Sequence, residues 1–241
     1  MKKLKKVRLG VIGCGSMAMN HMRYYPQVPG LEFTAASDVD SDTLEKVADE
    51  HGVEVFDDYR KLIKSGLVDA VFIGTPHYFH PPMAMDAFKA GLHVLVEKPV
   101  AVTAYDAEKV NKAYAKVKDK LVYAAMFNQR TMPQWRKVKQ LVDEGVIGTI
   151  TRTNWIITSW FRTQAYYDSG AWRATWRDEG GGVLINQCPH NLDLFQWFCG
   201  MPQRVTANIG LGKYHKIEVE DEVSALLEYP NGATGAFITS T

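Results

Sequence analysis

Apolar and polar positions follow two different rhythms along this chain. In the first half, short apolar runs alternate with stretches at helical spacing. Val7–Ile12 is an apolar run ending in glycines and reads as a strand. Residues 16–25 read as a helix stopped by Pro26, and 31–37 as a further strand. Asp42 and Glu45 stand at the spacing of a helix capping box, which predicts a helix running to about Glu50. A buried strand is expected at 70–73, a helix at 82–90 closed by Gly91, a strand at 93–96, a helix at 103–117 and a strand at 121–124. Strands separated by helices imply right-handed crossovers and a parallel, doubly wound sheet.

The rhythm changes near residue 125. A helix is expected at 134–144, ended by Gly145, and a long strand at 149–158. An aromatic, irregular stretch runs to Arg177 and into a glycine run. A helical segment at 183–198 follows, with Pro189 marking either a break or a fresh start. Strand-like runs at 204–211, 222–228 and 233–239 close the chain, the last two joined by a turn at Tyr229-Pro230-Asn231-Gly232. Strands without helices between them predict an open, mainly antiparallel sheet. The fold class is therefore α/β: residues 1–124 form the doubly wound parallel domain, and 125–241 a second, α+β domain.

Composition narrows the function classes. With 241 residues, 46% hydrophobic and 23% charged, the chain is an ordinary globular one. Its net charge of +1 gives no field steering it toward nucleic acid or an acidic membrane. Lys2, Lys3, Lys5, Lys6 and Arg8 form a basic run, read as a solvated lead-in to the first strand. Basic residues ahead of Cys14 resemble a lipoprotein signal, but such a signal needs an apolar stretch of ~7–15 residues, and only 9–13 intervene. No stretch approaches the ~18 apolar residues of a membrane span. Cys14, Cys188 and Cys199 show neither disulfide nor metal spacing, which fits a reducing cytoplasm.

The chemistry begins at Gly13-Cys14-Gly15-Ser16-Met17-Ala18. This G-x-G-x-x-A pattern follows a strand and opens a helix, the setting of a dinucleotide-binding Rossmann fingerprint. Gly13 permits the tight turn, Gly15 leaves room for a pyrophosphate, and Ala18 allows close helix–strand packing. Ser16 and Met17 begin the helix whose free N–H groups would face the phosphates. Asp38, ending the strand at 31–37, can accept hydrogen bonds from ribose hydroxyls and would repel a 2′-phosphate, which favours NAD over NADP. Asp38 can equally be a turn residue or a cap.

Other candidates stand at the ends of later strands. Glu97-Lys98-Pro99 follows the strand at 93–96, so its lysine would sit near a nicotinamide. Thr75-Pro76-His77-Tyr78-Phe79-His80 follows the strand at 70–73, with His80 the favoured histidine. In the second half, Gly180-Gly181-Gly182 leads to Asn186, His190 and Asp193. His190 and Asp193 share a helical face, while Leu184, Cys188 and Phe195 can form an opposing buried stripe. Trp155, Trp160, Phe161, Tyr166, Tyr167, Trp172 and Trp176 suit a sugar-stacking surface, or equally a core or a subunit interface.

Taken in order, these segments resemble the Gfo/Idh/MocA family, named for glucose–fructose oxidoreductase, inositol dehydrogenase and a rhizopine-catabolism protein. The resemblance rests on Gly13 to Ala18, Thr75-Pro76 through His80, Ala90-Gly91-Leu92-His93-Val94 into Glu97-Lys98-Pro99, and the glycine run into His190 and Asp193. It implies an NAD-dependent oxidoreductase acting on a sugar, cyclitol or related polyol, with Lys98 and His190 as the catalytic pair. It implies that Thr75, Pro76, His80, Glu97 and Asn128 contact the cofactor. Trp172 and Arg173, with Asn186 and Asp193, are expected at the substrate.

Hydride transfer is the expected chemistry. His190 is the expected base and Lys98 the group holding the oxygen, although burial beside a cation could exchange the two roles. Two features depart from the family pattern. Asn186 stands where many members carry aspartate, and an amide takes up no proton at neutral pH. The chain also stops at Thr241, just after a strand, where members usually continue; a truncated or a naturally short form is expected, with part of the second domain missing and sheet edge exposed. Two rival readings follow: an NAD-using lyase or glycosidase-like enzyme with transient internal redox, and a non-catalytic dinucleotide-binding protein. Open-faced sheets pair, so a homo-oligomer through the C-terminal sheet is expected.

Overall fold

A computed structural model describes residues 6–241. Lys2, Lys3 and Lys5 of the basic run lie outside the described residues. Lys6 and Arg8 stand beside Glu32 and Asp69, half to largely solvated. The chain divides into two compact units between Met126 and Phe127.

The N-terminal unit contains six parallel strands: β1 (Val7–Ile12), β2 (Leu31–Ser37), β3 (Glu54–Phe56), β4 (Ala70–Ile73), β5 (His93–Val96) and β6 (Tyr123–Ala125). Their order is β3-β2-β1-β4-β5-β6. The crossovers carry α1 (Ser16–Met22), α2 (Ser41–His51), α3 (Tyr59–Lys64), α4 (His80–Lys89) and α5 (Ala104–Ala115). Helices cover both faces of the sheet, so the central strands are apolar at successive positions rather than at alternate ones. Val11 and Phe72 pack on one face with Met22, Ala36 and Val47. Their neighbours Ile12, Val71 and Ile73 pack on the other with Ala84, Phe88 and Val94.

Three local expectations need correction. Helix α1 ends at Met22, and Pro26 lies in a separate 3-10 turn, Tyr25–Gln27. The cap of α2 is Asp40, whose carboxylate accepts from the Thr43 amide at 3.2 Å; Asp42 already lies in the first helical turn. Strand β3 and helix α3 add to the expected elements, neither being long enough to establish a period. Helix α3 is announced only by Asp58, which caps it through the Arg60 amide at 2.8 Å.

The C-terminal unit contains α6 (Pro133–Asp143), β7 (Arg152–Ile157), α7 (Gln164–Asp168), a π-helical turn at Val183–Gln187, α8 (Pro189–Cys199), β8 (Arg204–Leu211), β9 (Glu220–Glu228) and β10 (Thr234–Ser240). The sheet order is β7-β10-β9-β8. The sheet is mixed, since β10 pairs with β7 in parallel and with β9 antiparallel. A mainly antiparallel expectation misses that one ladder, whose partners lie far apart in sequence.

Strand β9 alternates as a one-sided sheet should. Val223, Ala225 and Leu227 are buried in a core that includes Cys188 and Phe195, with Leu184 packed against it. Along the edge, the inward positions of β8 are not covered. Val205 and Ile209 pair in register with buried Leu227 and Val223, yet remain 56% and 52% exposed.

Candidate functional site

In the N-terminal unit the candidates gather at the carboxyl ends of the parallel strands, the edge where ligands bind in open α/β sheets. Gly13 ends β1 with φ +85°. A Cβ there would lie 2.7 Å from Thr75 Cγ2 and 2.8 Å from the Thr75 amide nitrogen. Close approach of the loop after β4 therefore requires glycine. Gly15 differs: its backbone is extended, and a Cβ would meet nothing within 4 Å. The protein's own packing does not need a glycine at this position. The open space lies at the start of α1, where Ser16 and Met17 are exposed, and it suits a pyrophosphate held by backbone N–H groups.

Asp38 closes the loop from the side. Its carboxylate accepts from the Cys14 amide at 2.6 Å and from the Asp40 amide at 3.0 Å. It is therefore both the turn residue and a carboxylate beside the glycine loop, two roles that stand as alternatives in the sequence. Cys14 is buried beneath it. Burial, with the Asp38 charge, pushes its thiol up to about 12, so it carries no reactive thiolate.

Glu97 joins three elements at this edge. Oε1 pairs with His21 Nε2 of α1 at 2.9 Å, and Oε2 accepts from the Lys98 amide at 3.0 Å. Burial alone would raise this carboxyl, but the His21 and Lys98 contacts outweigh it and hold Glu97 below its usual range. The Lys98–Pro99 peptide is cis.

His80 is fully buried. Nδ1 lies 2.7 Å from the Pro99 carbonyl and Nε2 2.7 Å from the Thr75 carbonyl. A neutral imidazole donates from one nitrogen only, so using both contacts fully requires the imidazolium. Burial favours the neutral ring and is the larger effect, so the His80 pKa falls. The residue expected to touch the cofactor is thus a brace between two loops. Pro76 opens the 3-10 turn His77–Phe79, and the Thr75 hydroxyl reaches Met83 Sδ at 3.6 Å.

In the C-terminal unit the glycine run fits a carboxylate. Glu220, on β9, accepts from the Gly182 and Leu184 amides, each at 3.0 Å, and so caps the π-helical turn. A Cβ on Gly182 would overlap the Glu220 carbonyl oxygen. Pro189 then begins α8, which places His190 in its first turn, edge-on to Phe127 with ring centres 6.1 Å apart.

Asn186 lies on the π-helical turn, with its side-chain nitrogen bonded to Glu179 Oε1 and 3.5 Å from the Tyr166 hydroxyl. Arg173 donates to the same hydroxyl at 2.8 Å, and its guanidinium lies over the Tyr166 and Trp172 rings at 4.5 and 4.8 Å. Asp193, expected at the substrate, is held by both arms of Arg130 at 2.6 and 2.7 Å. Asn128 is exposed at the start of the 3-10 turn that carries Arg130.

The aromatic stretch divides. Trp155 is packed among Trp135, Phe195 and Phe198, and Tyr167 is buried against Thr241. Phe161 and Trp176 are exposed. His21, Arg130 and Glu179 are not singled out by sequence. Each acts through a partner distant in the chain or outside any motif, so no local signal marks them. Among the described residues, no group of three or more His, Cys, Asp or Glu side chains could hold a metal, and no helix is long and apolar enough to cross a membrane.

Comparisons with known proteins agree with this arrangement. Residues 7–125 match the profile described as an oxidoreductase family with an NAD-binding Rossmann fold, and residues 135–241 that of the GFO/IDH/MocA C-terminal domain. A 1-carboxy-3-chloro-3,4-dihydroxycyclohexa-1,5-diene dehydrogenase from Comamonas testosteroni is 33% identical over 94% of this chain and 56% of its own length. An inositol 2-dehydrogenase from Rubrobacter xylanophilus is 33% identical over 80% of this chain and 52% of its own length. The chain thus spans about half the length of these curated relatives. Among solved structures, the WlbA dehydrogenase of Bordetella pertussis, in complex with NADH and UDP-GlcNAcA, superposes with a TM-score of 0.89 at 29% identity. That match covers 98% of this chain and 71% of WlbA.

Proposed function

The chain belongs to the Gfo/Idh/MocA oxidoreductases, its N-terminal unit being an NAD-binding Rossmann domain, and from that premise we propose that it transfers a hydride between NAD and a hydroxyl-bearing carbon of a sugar, cyclitol or related polyol. The observation that carries the reading is how Lys98 is anchored. Glu97 ties its backbone to His21 on the helix opened by the glycine loop, so lysine and cofactor loop belong to one hydrogen-bonded edge.

Bound NAD supplies the hydride acceptor. The Gly13–Gly15 loop and the start of α1 would hold its pyrophosphate, and Asp38 its ribose hydroxyls; a 2′-phosphate would meet the Asp38 carboxylate. Lys98 would hold the substrate oxygen and offset negative charge developing there. His190 would remove the hydroxyl proton, imidazole being the side chain suited to proton exchange at neutral pH. Asn186 can hydrogen-bond a hydroxyl but cannot take its proton, so the base role falls to His190 or, with roles exchanged, to Lys98. Trp172 and Arg173 would line the substrate site.

The test is NADH formation over a panel of sugars and polyols, with Lys98→Ala and His190→Ala as variants. Each is expected to lose ~10²–10⁴ in rate. Near-wild-type turnover in either variant removes that residue from the mechanism. Turnover without net NADH would transfer the reading to internal redox, and NAD binding without any turnover to a non-catalytic binder.

Two further assignments belong here. Cytoplasmic location fits buried thiols, with burial raising Cys188 to about 11. Self-association through the C-terminal sheet fits its open face, where Ile156 and Leu226 are 62% and 65% exposed. Light scattering that finds only monomer would end that assignment.

A further inference from the structure

One face of α8 is met by a single turn of chain. His190, Asp193 and Trp197 stand at i, i+3 and i+7, so they share a helical face, and all three are half-buried. Phe127 sets its ring edge-on to His190, with ring centres 6.1 Å apart. Three residues on, Arg130 holds both oxygens of Asp193 at 2.6 and 2.7 Å, and its guanidinium lies over the Trp197 ring at 5.1 Å. The Arg130 amide donates to the Phe127 carbonyl at 3.1 Å, which closes the turn and fixes the spacing of these contacts. Two side chains one turn apart on this segment thus meet residues one turn apart on the helix.

The remainder of α8 is held by other groups. Leu194, Phe195 and Phe198 are buried, and the Asn191 side chain accepts from Trp155 Nε1 at 3.2 Å. These contacts keep the helix folded and docked. The Arg130 fork adds an angle, because two parallel N–H···O bonds between planar groups fix an orientation that a point charge leaves free. Its side chain is 39% exposed against 12% for Asp193, so the pair contributes little to stability and acts chiefly through geometry. We propose that Arg130 is a positioning residue: through Asp193 it sets the rotation of α8 about its axis, and with Phe127 it fixes where the His190 imidazole stands. Asp193 then acts on the helix and not on the substrate. The inference rests on the functional reading above, in which His190 exchanges the hydroxyl proton.

The test compares Arg130→Ala, Arg130→Lys, Asp193→Asn and the double variant Arg130→Ala/Asp193→Asn. Kinetics are measured on myo-inositol, glucose and levoglucosan with NAD, and NAD affinity by titration. The His190 ring is followed by NMR, its signals identified by their absence from His190→Ala. Arg130→Ala is expected to lower kcat about 10- to 100-fold, the scale of a ~1 Å misplacement, with KM and NAD affinity within about twofold of wild type. Asn at 193 should do the same, and the double variant should lose no more than either single one, as residues acting as a unit do. Arg130→Lys should recover part of the loss, since an ammonium keeps the charge without the fork. The His190 signals should shift or broaden in both single variants. A raised KM at unchanged kcat in Asp193→Asn would put that carboxylate on the substrate and overturn the proposal, as would losses that multiply in the double variant. If the wild type turns over none of these compounds, the functional reading fails and the ring signals decide the rest: altered signals in both variants uphold the positioning, and unaltered ones overturn it. Should Arg130→Ala not fold, Arg130→Lys and Asp193→Asn decide by the same readouts.

Discussion

The glycine loop of the N-terminal unit and the glycine run of the C-terminal unit are alike as sequence and are built for different ends. At Gly15, a side chain would meet no protein atom within 4 Å, so the protein's own packing does not require the glycine. At Gly182, a side chain would strike the Glu220 backbone, so that glycine serves the fold. One glycine borders open space and the other permits a strand's close approach. A motif cannot distinguish them, because both simply lack a Cβ.

Substitution at the two glycines should separate these roles. Gly182→Ala carries the largest expected effect. Backbone overlap of this kind should cost about 3 kcal/mol or more and lower the Tm of the C-terminal unit by roughly 10 °C or beyond, read by calorimetry. A Tm essentially that of wild type would mean the run is not packed as described. Gly15→Ala should leave Tm essentially unchanged while weakening NAD at least ~10-fold, read by titration calorimetry. Retained affinity would show that the space is not where the pyrophosphate lies.

Acid sharpens the contrast between the units. His80, Glu97 and Asp221 all have pKa values lowered in the folded protein. For His80 the cause is burial; for Glu97 and Asp221 burial opposes the shift, and hydrogen bonds outweigh it. The folded state thus binds fewer protons at each than the unfolded chain does. The stability they contribute is present above their unfolded values and is lost as pH falls through the folded ones. Two windows follow: below about 6.5 for His80, in the N-terminal unit, and below about 4 for the carboxyls, Asp221 being in the C-terminal one. Melting curves from neutral pH down to about 5 should show the N-terminal unit weakening before the other, and His80→Asn should remove that step. A flat profile in the wild type over this range would contradict the brace. The smallest expected effect is Arg130→Ala, which leaves Asp193 without its bidentate partner and should cost about 1 kcal/mol because Arg130 is partly solvated.

What is legible in the sequence follows from how each part is made. The N-terminal unit's strands are apolar at successive positions, and its loops are punctuated by Gly13, Gly15 and Gly91, so five of its six strands and the ligand edge can be read directly. Strand β3 escapes because Glu54, Val55 and Phe56 are too few to carry a period. The strands of the C-terminal unit are legible from alternation, but the parallel β7–β10 ladder is not, because nothing local records which distant strand is the neighbour. The same limit hides the polar partners. His21 meets Glu97 and Arg130 meets Asp193 across 76 and 63 residues, and pairing over such spans is a property of the folded chain alone. His80 reads as a residue at the cofactor edge, and its loop gives no sign of the two carbonyls it meets.

Glu97 binds the helix of the glycine loop with one oxygen and the backbone of Lys98 with the other. The lysine's backbone is therefore fixed by contacts lying wholly within the N-terminal unit. A change beyond residue 126 leaves that hydrogen-bonded block in place, whereas His190, which lies in the C-terminal unit, would have to be kept separately.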